Sequence, residues 1–383
     1  MMFLALMFAL LALAALAYQV GAAAALWFFL RRPFPEGADA AQPGISLLKP
    51  VRGWDADTSA CLASFLRQDY PDIQVVFGVA DPSDPALPLL RQLQADNPEV
   101  EVQSVICPQE LGLNPKVSTL RQLLPLARHE LIVISDSDVR VGPDLAARLA
   151  AALQKPGVGL ATCLYRSGPV HTGPAALEAL SISADFMPSV AMAHYVEGIT
   201  FALGAVMALP RQVLEDIGGF AGIADYLADD YQLGHRVSRT GLKVQVLPYV
   251  VETLSSRETL QGYLARHLRW ARTYRVCRPR GYFAYGITFA LPWGLLAWLA
   301  GGLAAWGGQL ALACLAVRLS VAVVAERACL QGRLPWGWFL LLPLKDMISF
   351  GLWALSFAGD TVNWRGRRYR VTPDGRLVKS EED

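Results

Sequence analysis

Asp136-Ser137-Asp138 sets two carboxylates two residues apart. Hard divalent cations take oxygen ligands, and Mg²⁺ is typically held by one or two carboxylates plus substrate phosphates. An acidic turn without a ligand uses the same tripeptide. Asp229-Asp230 opens an amphipathic stretch, Tyr231 to Arg239. One acid there caps a helix and answers its dipole. A second, facing a cleft, suits a general base, which must first reach the proton it removes. Arg257 to Arg280 carries seven arginines and one acid, Glu258. Arg266, Arg269 and Thr273 share one helical face, with Trp270 beside them. Arginine forks suit phosphate oxygens, and a basic flank ahead of a membrane span accounts for some of the same charges.

The elements that must hold these groups alternate. Ile45 to Leu48, Ile73 to Val79 and Leu131 to Ser135 are largely apolar runs of strand length, and Val100 to Ile106 reads as a further strand. Helical spacing fills Thr58 to Arg67, Leu87 to Leu93, Val117 to Ala127 and Leu145 to Leu153. This order predicts an α/β domain with a mostly parallel, covered sheet. Ligands in such sheets bind beyond the carboxyl ends of strands. That rule selects Asp81, after the second strand, and Asp136-Ser137-Asp138, after the fourth. Neither GxGxxG nor GxxxxGK[ST] occurs, so no dinucleotide or P-loop site is expected. Phe201 to Leu209 reads as a further strand, with Gly204 allowing close approach of a ligand or backbone. Ser181 to Tyr195 reads equally as a buried helix or as an interfacial one admitting a lipid.

Only 17% of the 383 residues are charged and 54% are hydrophobic, against about 25% and 45–50% in soluble domains. Disordered and disulfide-stapled classes are excluded. A formal net charge of +1 argues against a nucleic-acid partner. Residues 1–30 lack charge and are long enough to span a bilayer. Arg31-Arg32 marks the inner end. Residues 31–281 read as one cytoplasmic domain ending in a basic interfacial helix. Residues 282–358 read as three membrane segments, and 359–383 as a basic, polar tail. Three full crossings would put the tail outside, against the preference of Arg365, Arg367, Arg368 and Arg370 for the inside. One segment is therefore expected to be re-entrant or interfacial, with its break at Pro343-Leu344-Lys345-Asp346. Charge at membrane depth is costly, so Asp346 is expected to meet Arg318 or another basic group.

Together these residues resemble the ceramide glucosyltransferase family, glycosyltransferase family 21, within the inverting GT-A group. The resemblance runs from about Ile45 to Pro279. It rests on Ile45-Ser46-Leu47-Leu48-Lys49-Pro50-Val51-Arg52-Gly53, Asp69-Tyr70-Pro71, the strand leading to Asp81, Gly112-Leu113-Asn114-Pro115-Lys116, Asp136-Ser137, Asp229-Asp230-Tyr231 and Arg266-x-x-Arg269-Trp270. Many relatives in the wider group have QxxRW where this chain has arginine at 266. The resemblance implies a GT-A fold, a nucleotide-diphospho-sugar transferase with a Rossmann-like mixed sheet, plus transmembrane helices. It implies that Asp81 contacts uridine, that Asp136 and Asp138 hold Mg²⁺ or Mn²⁺ and the diphosphate, and that Lys116 neutralises phosphate. It further implies Asp230 as the base, with Asp229 as its substitute, Arg266 and Arg269 on the departing UDP, and Trp270 on the acceptor side.

Animal ceramide enzymes carry a His in the strand after the DSD region, where this chain has Ala161-Thr162-Cys163. Thr162 to Arg166 and Val362 to Arg368 look more like a bacterial branch that transfers N-acetylglucosamine to bacteriohopanetetrol. The implied protein is a bacterial inner-membrane enzyme using a UDP-sugar and a lipid acceptor, either hopanoid polyol or ceramide. A processive polysaccharide synthase and a non-enzymatic membrane scaffold are the competing classes.

Overall fold

A computed structural model describes residues 1–34, 42–55, 57–254, 259–364 and 366–379. Arg257, Glu258 and Arg365 lie outside the described residues. Eight strands form one mixed sheet: β1 (Ile45–Val51), β2 (Ile73–Val79), β3 (Glu101–Ile106), β4 (Leu131–Ser135), β5 (Val139–Arg140), β6 (Val158–Ser167), β7 (Val206–Pro210) and β8 (Lys243–Thr253). Their order is β3-β2-β1-β4-β7-β6-β8-β5. The first four run parallel. β7 is antiparallel to both β4 and β6, which makes the sheet mixed.

Successive strand residues point to opposite faces, and both faces are covered. Leu48, Val76, Ile132 and Ile134 join a core that includes Leu26 and Phe29 of the N-terminal helix Met2–Leu30. Leu47, Val75, Phe77 and Val133 pack on the other face with Leu62, Phe65, Leu90 and Leu149. Each such burial contributes roughly 1.5–3 kcal/mol, so the N-terminal helix is anchored to the sheet.

β2, β4 and helix Leu145–Leu153 have the expected bounds. The strand expected over Phe201 to Leu209 pairs only as Val206–Pro210. The preceding loop is held instead by the Thr162 hydroxyl, which accepts from Leu203 N–H at 3.1 Å and lies 2.7 Å from the Val206 carbonyl. The Ser181 to Tyr195 stretch is helical, with Ile182, Ser183, Ala184, Met187 and Val190 covered and Tyr195 at its end exposed.

Met2–Leu30, Ala305–Cys329 and Trp336–Ser356 are long and apolar enough to cross a membrane. Pro279–Thr288 and Ala290–Ala300 make a fourth span if counted together, bent by 61°. The break expected at Pro343 is therefore found at Phe289. Pro343 falls in the first turn of helix Leu342–Ser356, where its missing N–H removes no helical bond.

Asp346 does meet Arg318, in a larger group. Arg318 Nε and Nη2 lie 2.9 Å from the two Asp346 oxygens, and Lys345 Nζ is 2.8 Å from Asp346 Oδ1. Asp185, from the sheet-bearing domain, pairs with both cations.

The tail forms a small antiparallel sheet, β9 (Thr361–Trp364), β10 (Arg367–Val371) and β11 (Leu377–Lys379). It packs Tyr369, Val371 and Leu377 against Leu227.

Candidate active site

The cleft forms at the carboxyl ends of β1 and β4, next to the entry of helix Asp229–Arg239. Gly112-Leu113-Asn114-Pro115-Lys116 builds one wall. The Asn114 side chain caps helix Pro115–Leu123, accepting from the N–H groups of Lys116 and Val117 at 3.0 and 3.1 Å. Its amide donates to the Tyr226 carbonyl at 2.8 Å. A Cβ on Gly112 would come within 2.5 Å of Ala224 Cβ, so only glycine lets these loops touch. From the other side, β11 clamps the same loop: Leu377 N–H donates to the Asp225 carbonyl at 2.7 Å. The loop before Asp229-Asp230 is thus held by two distant parts of the chain.

Lys116 ties the acids together. Its ammonium lies 2.8 Å from Asp136 Oδ1 and 2.9 Å from Asp229 Oδ2. Burial alone would lower its pKa; the two carboxylates outweigh that and raise it above the ordinary lysine value. Asp230 makes no ion pair with this lysine, whose charge reaches it only at longer range and lowers its pKa. Burial, with Asp229 beside it, raises its carboxyl to about 6. Its Oδ1 accepts from Tyr231 N–H at 2.7 Å. Asp138 opens to solvent along the cleft but is otherwise ringed by protein, and that desolvation, with Asp136 adjacent, raises it to about 6.

Gly204 lies between the two acidic groups. A Cβ there would be 3.1 Å from Asp230 Oδ2 and 3.6 Å from Asp136 Oδ2. Both carboxylates therefore converge on one small space. Gly234 lets helix Asp229–Arg239 press onto the Phe201–Ala202 backbone, where a Cβ would come within 2.3 Å.

Not every expected group gathers here. Asp81 is exposed on the same sheet edge, closed into a turn by Ser83, whose N–H and hydroxyl donate to Oδ1 at 2.8 and 2.7 Å. Those hydrogen bonds lower its pKa. Arg266 and Arg269, one turn apart on helix Leu260–Cys277, diverge. Arg266 pairs with Glu178 at 2.9 Å, and its charge favours the ionised form of Asp138. Arg269 lies over the Trp364 ring of β9, 5.6 Å from its centroid. Trp270 contacts the His267 ring edge-on, 5.1 Å away.

Residues outside the sequence-based set complete the cleft. Lys49 is fully buried. Its ammonium donates to the Asp136 carbonyl at 2.6 Å and rests 3.7 Å from the Phe65 ring centroid. Burial pulls its pKa down to about 7. Glu178 accepts from Arg266 and bonds His267 at 2.8 Å. Burial would raise its pKa, but His267 and Arg266 prevail and hold it at about 2. Tyr165, Phe186 and Tyr274 form an aromatic wall, with centroids 5.8 and 6.3 Å apart. The negative charge of Asp230 reaches both tyrosines. Phe186 directly follows Asp185 of the four-charge group. Lone charges in apolar runs, Lys49 in β1 and Glu178 in helix Gly173–Ser181, are the signal that marks the first two residues.

Among the described residues no cluster of three or more His, Cys, Asp or Glu side chains is arranged to hold a metal alone. The available donors are the oxygens of Asp136, which borders the space that Gly204 keeps open, and of Asp138, two residues further on. That set suits a hard cation sharing its shell with phosphate oxygens.

An α/β mixed sheet with acids at its carboxyl edge, joined to apolar helices long enough to cross a membrane, is an architecture of the GT-A type. The profile of glycosyl transferase family 21 matches residues 5–377, and the chain belongs to that family. It is a glycosyltransferase of the hexosyltransferase class. Ceramide glucosyltransferase 1 of Caenorhabditis elegans is 22% identical over 355 residues, 90% of this chain and 75% of that one. An N-acetylglucosaminyltransferase of Rhizobium leguminosarum bv. viciae is 25% identical over 243 residues, 60% of this chain and 55% of that one. The fold is similar to that of mannosyltransferase PcManGT from Pyrobaculum calidifontis, solved in complex with GDP-Man and Mn²⁺. The TM-score is 0.52 at 21% identity, covering 91% of this chain and 99% of that one.

Proposed function

We propose that the protein moves a sugar from a UDP-sugar to the hydroxyl of a membrane lipid, inverting the anomeric carbon. The observation that carries this is the convergence of Asp230 and Asp136 on the space beside Gly204, walled by Tyr165, Phe186 and Tyr274. Asp230, with a pKa of about 6, is mostly ionised at neutral pH. It accepts the proton of the acceptor hydroxyl. That oxygen bonds the anomeric carbon as the bond to UDP breaks on the opposite face. Asp229 is committed to Lys116 and acts as a positioning residue, not as the base.

Asp136 and Asp138 would hold Mg²⁺ or Mn²⁺, which would neutralise charge on the leaving diphosphate. Lys116 and Arg266 add fixed positive charge at the same edge, where stabilisation grows as the leaving group gains charge. Asp81, on the β2 end of that edge, is assigned to the uridine. Arg269 and Trp270 are assigned to the outer, UDP-side and acceptor-side rims of the basic helix.

Among donors and acceptors we favour N-acetylglucosamine and bacteriohopanetetrol, in a bacterial inner membrane with the sheet domain cytoplasmic. The support is Ala161-Thr162-Cys163 in place of a His, and similarity to an N-acetylglucosaminyltransferase. Glucose transfer to ceramide is the second reading, favoured by similarity to ceramide glucosyltransferase 1 across 90% of the chain. The test incubates the reconstituted full chain with labelled UDP-N-acetylglucosamine or UDP-glucose and either lipid, with Mn²⁺ or with EDTA. We expect metal-dependent label in hopanetetrol from UDP-N-acetylglucosamine. Label in ceramide from UDP-glucose would establish the second reading, and no transfer from any donor would overturn both.

A further inference from the structure

A second polar cavity, of about 770 Å³, opens where two membrane helices end against the sheet edge. It shares none of the acids or Lys116 of the cleft. The last turn of Met2–Leu30 and the Cys329–Gln331 turn form its membrane side, with Trp27 and Leu330 as apolar lining. β5 and the bulged part of β8 form its other side, where Arg140, Arg166 and Arg148 line it. Arg31 completes the rim, its guanidinium 3.4 Å from the Trp27 ring centroid.

Four arginines thus line one space; Arg166 also donates to the Leu330 and Gln331 carbonyls at 2.8 Å, tying the sheet to the membrane-side turn. Glu252 bridges Arg140 and Arg166, at 2.9 Å from the latter, and Asp144 pairs with Arg148 at 2.6 Å. Two carboxylates against four arginines leave positive charge in excess. These side chains are partly exposed, Arg140 at 40% and Arg148 at 33%, so the excess charge is open to an anion from outside, and arginine forks match phosphate geometry. The position adds a second requirement, because one wall is apolar and continuous with helices that cross the bilayer. A ligand carrying phosphate at one end and acyl chains at the other meets both. The volume falls within the roughly 300–1,000 Å³ of small-ligand sites.

We propose that this cavity binds the glycerophosphate headgroup of an anionic phospholipid, fixing the sheet domain to the membrane surface. The inference is independent of the transfer reaction. Native mass spectrometry of the purified full chain tests it, titrating phosphatidylglycerol against phosphatidylcholine of identical acyl chains. Each arginine near an anionic lipid contributes about fivefold in affinity. With two arginines in excess of the carboxylates, phosphatidylglycerol is therefore expected to be retained about 25-fold better. A variant with both Arg31→Gln and Arg148→Gln should lose most of that preference, while Glu252→Gln, which removes a competing anion, should strengthen it. Equal retention of the two lipids, or a preference untouched by the double variant, would overturn the proposal. Displacement by millimolar inorganic phosphate would overturn the lipid assignment and leave a free-anion site.

Discussion

Asp346→Asn perturbs the buried group that joins the sheet domain to the membrane helices. In the wild type, Arg318 and Lys345 oppose Asp185 and Asp346, and the group is neutral. The Arg318, Lys345 and Asp346 side chains are 2%, 1% and 5% exposed. Asparagine leaves two buried cations facing Asp185 alone. Removing one partner of a buried pair costs about 3–5 kcal/mol, because the remaining charge stays desolvated. The melting temperature of the purified chain should therefore fall clearly. Adding Lys345→Met restores neutrality and should recover at least half of the loss. Glu110→Gln is the control: it breaks the exposed Arg367–Glu110 pair and should leave melting unchanged. Asp185 adjoins Phe186 of the aromatic wall, so Asp346→Asn should also raise KM for the lipid more than for the UDP-sugar. Wild-type melting in Asp346→Asn, or a double variant no better than the single, would refute the reasoning.

Three other outcomes follow from the cleft. Gly204→Ala fills the space between Asp230 and Asp136 and should lower kcat/KM about 10²-fold with little change in melting, since misplacement at this scale is enough. kcat/KM should rise with pH through about 6, because Asp230 must lose its proton before it can act as base. Lys116→Met removes the charge that lowers the Asp230 pKa; residual activity should fall, and the acidic limb of the same profile should move to higher pH.

Much of the sheet was legible because a strand buried on both faces reads as an unbroken apolar run. Leu131 to Ser135 is such a run up to its last residue, and Ile73 to Val79 is one but for Gln74; they place Asp136 and Asp81 at their ends. The same logic overreads Phe201 to Ala205, which is apolar but takes its hydrogen bonds from the Thr162 side chain. Composition does not reveal that substitution. Pro343 looked like a break, yet proline is harmless in a first helical turn; the real bend at Phe289 lies just ahead of Pro292, whose missing N–H leaves no helical bond back to Thr288. The motifs identified the acids, Lys116 and the basic helix. They did not reveal that Lys116 claims Asp229 and spares Asp230. Glu178 and Arg266 are 88 residues apart, and only the fold brings them together. The tail read as polar and basic, while its buried Tyr369, Val371 and Leu377 alternate over segments too short to show as strands.

The most direct test compares wild type with Asp230→Asn for transfer of label from a UDP-sugar to lipid, alongside UDP binding by both proteins. Loss of a general base costs about 10²–10⁴-fold in rate. We expect a loss of that size in Asp230→Asn, with UDP binding retained. Undiminished transfer by Asp230→Asn would contradict the account, as would a wild-type chain that binds no UDP.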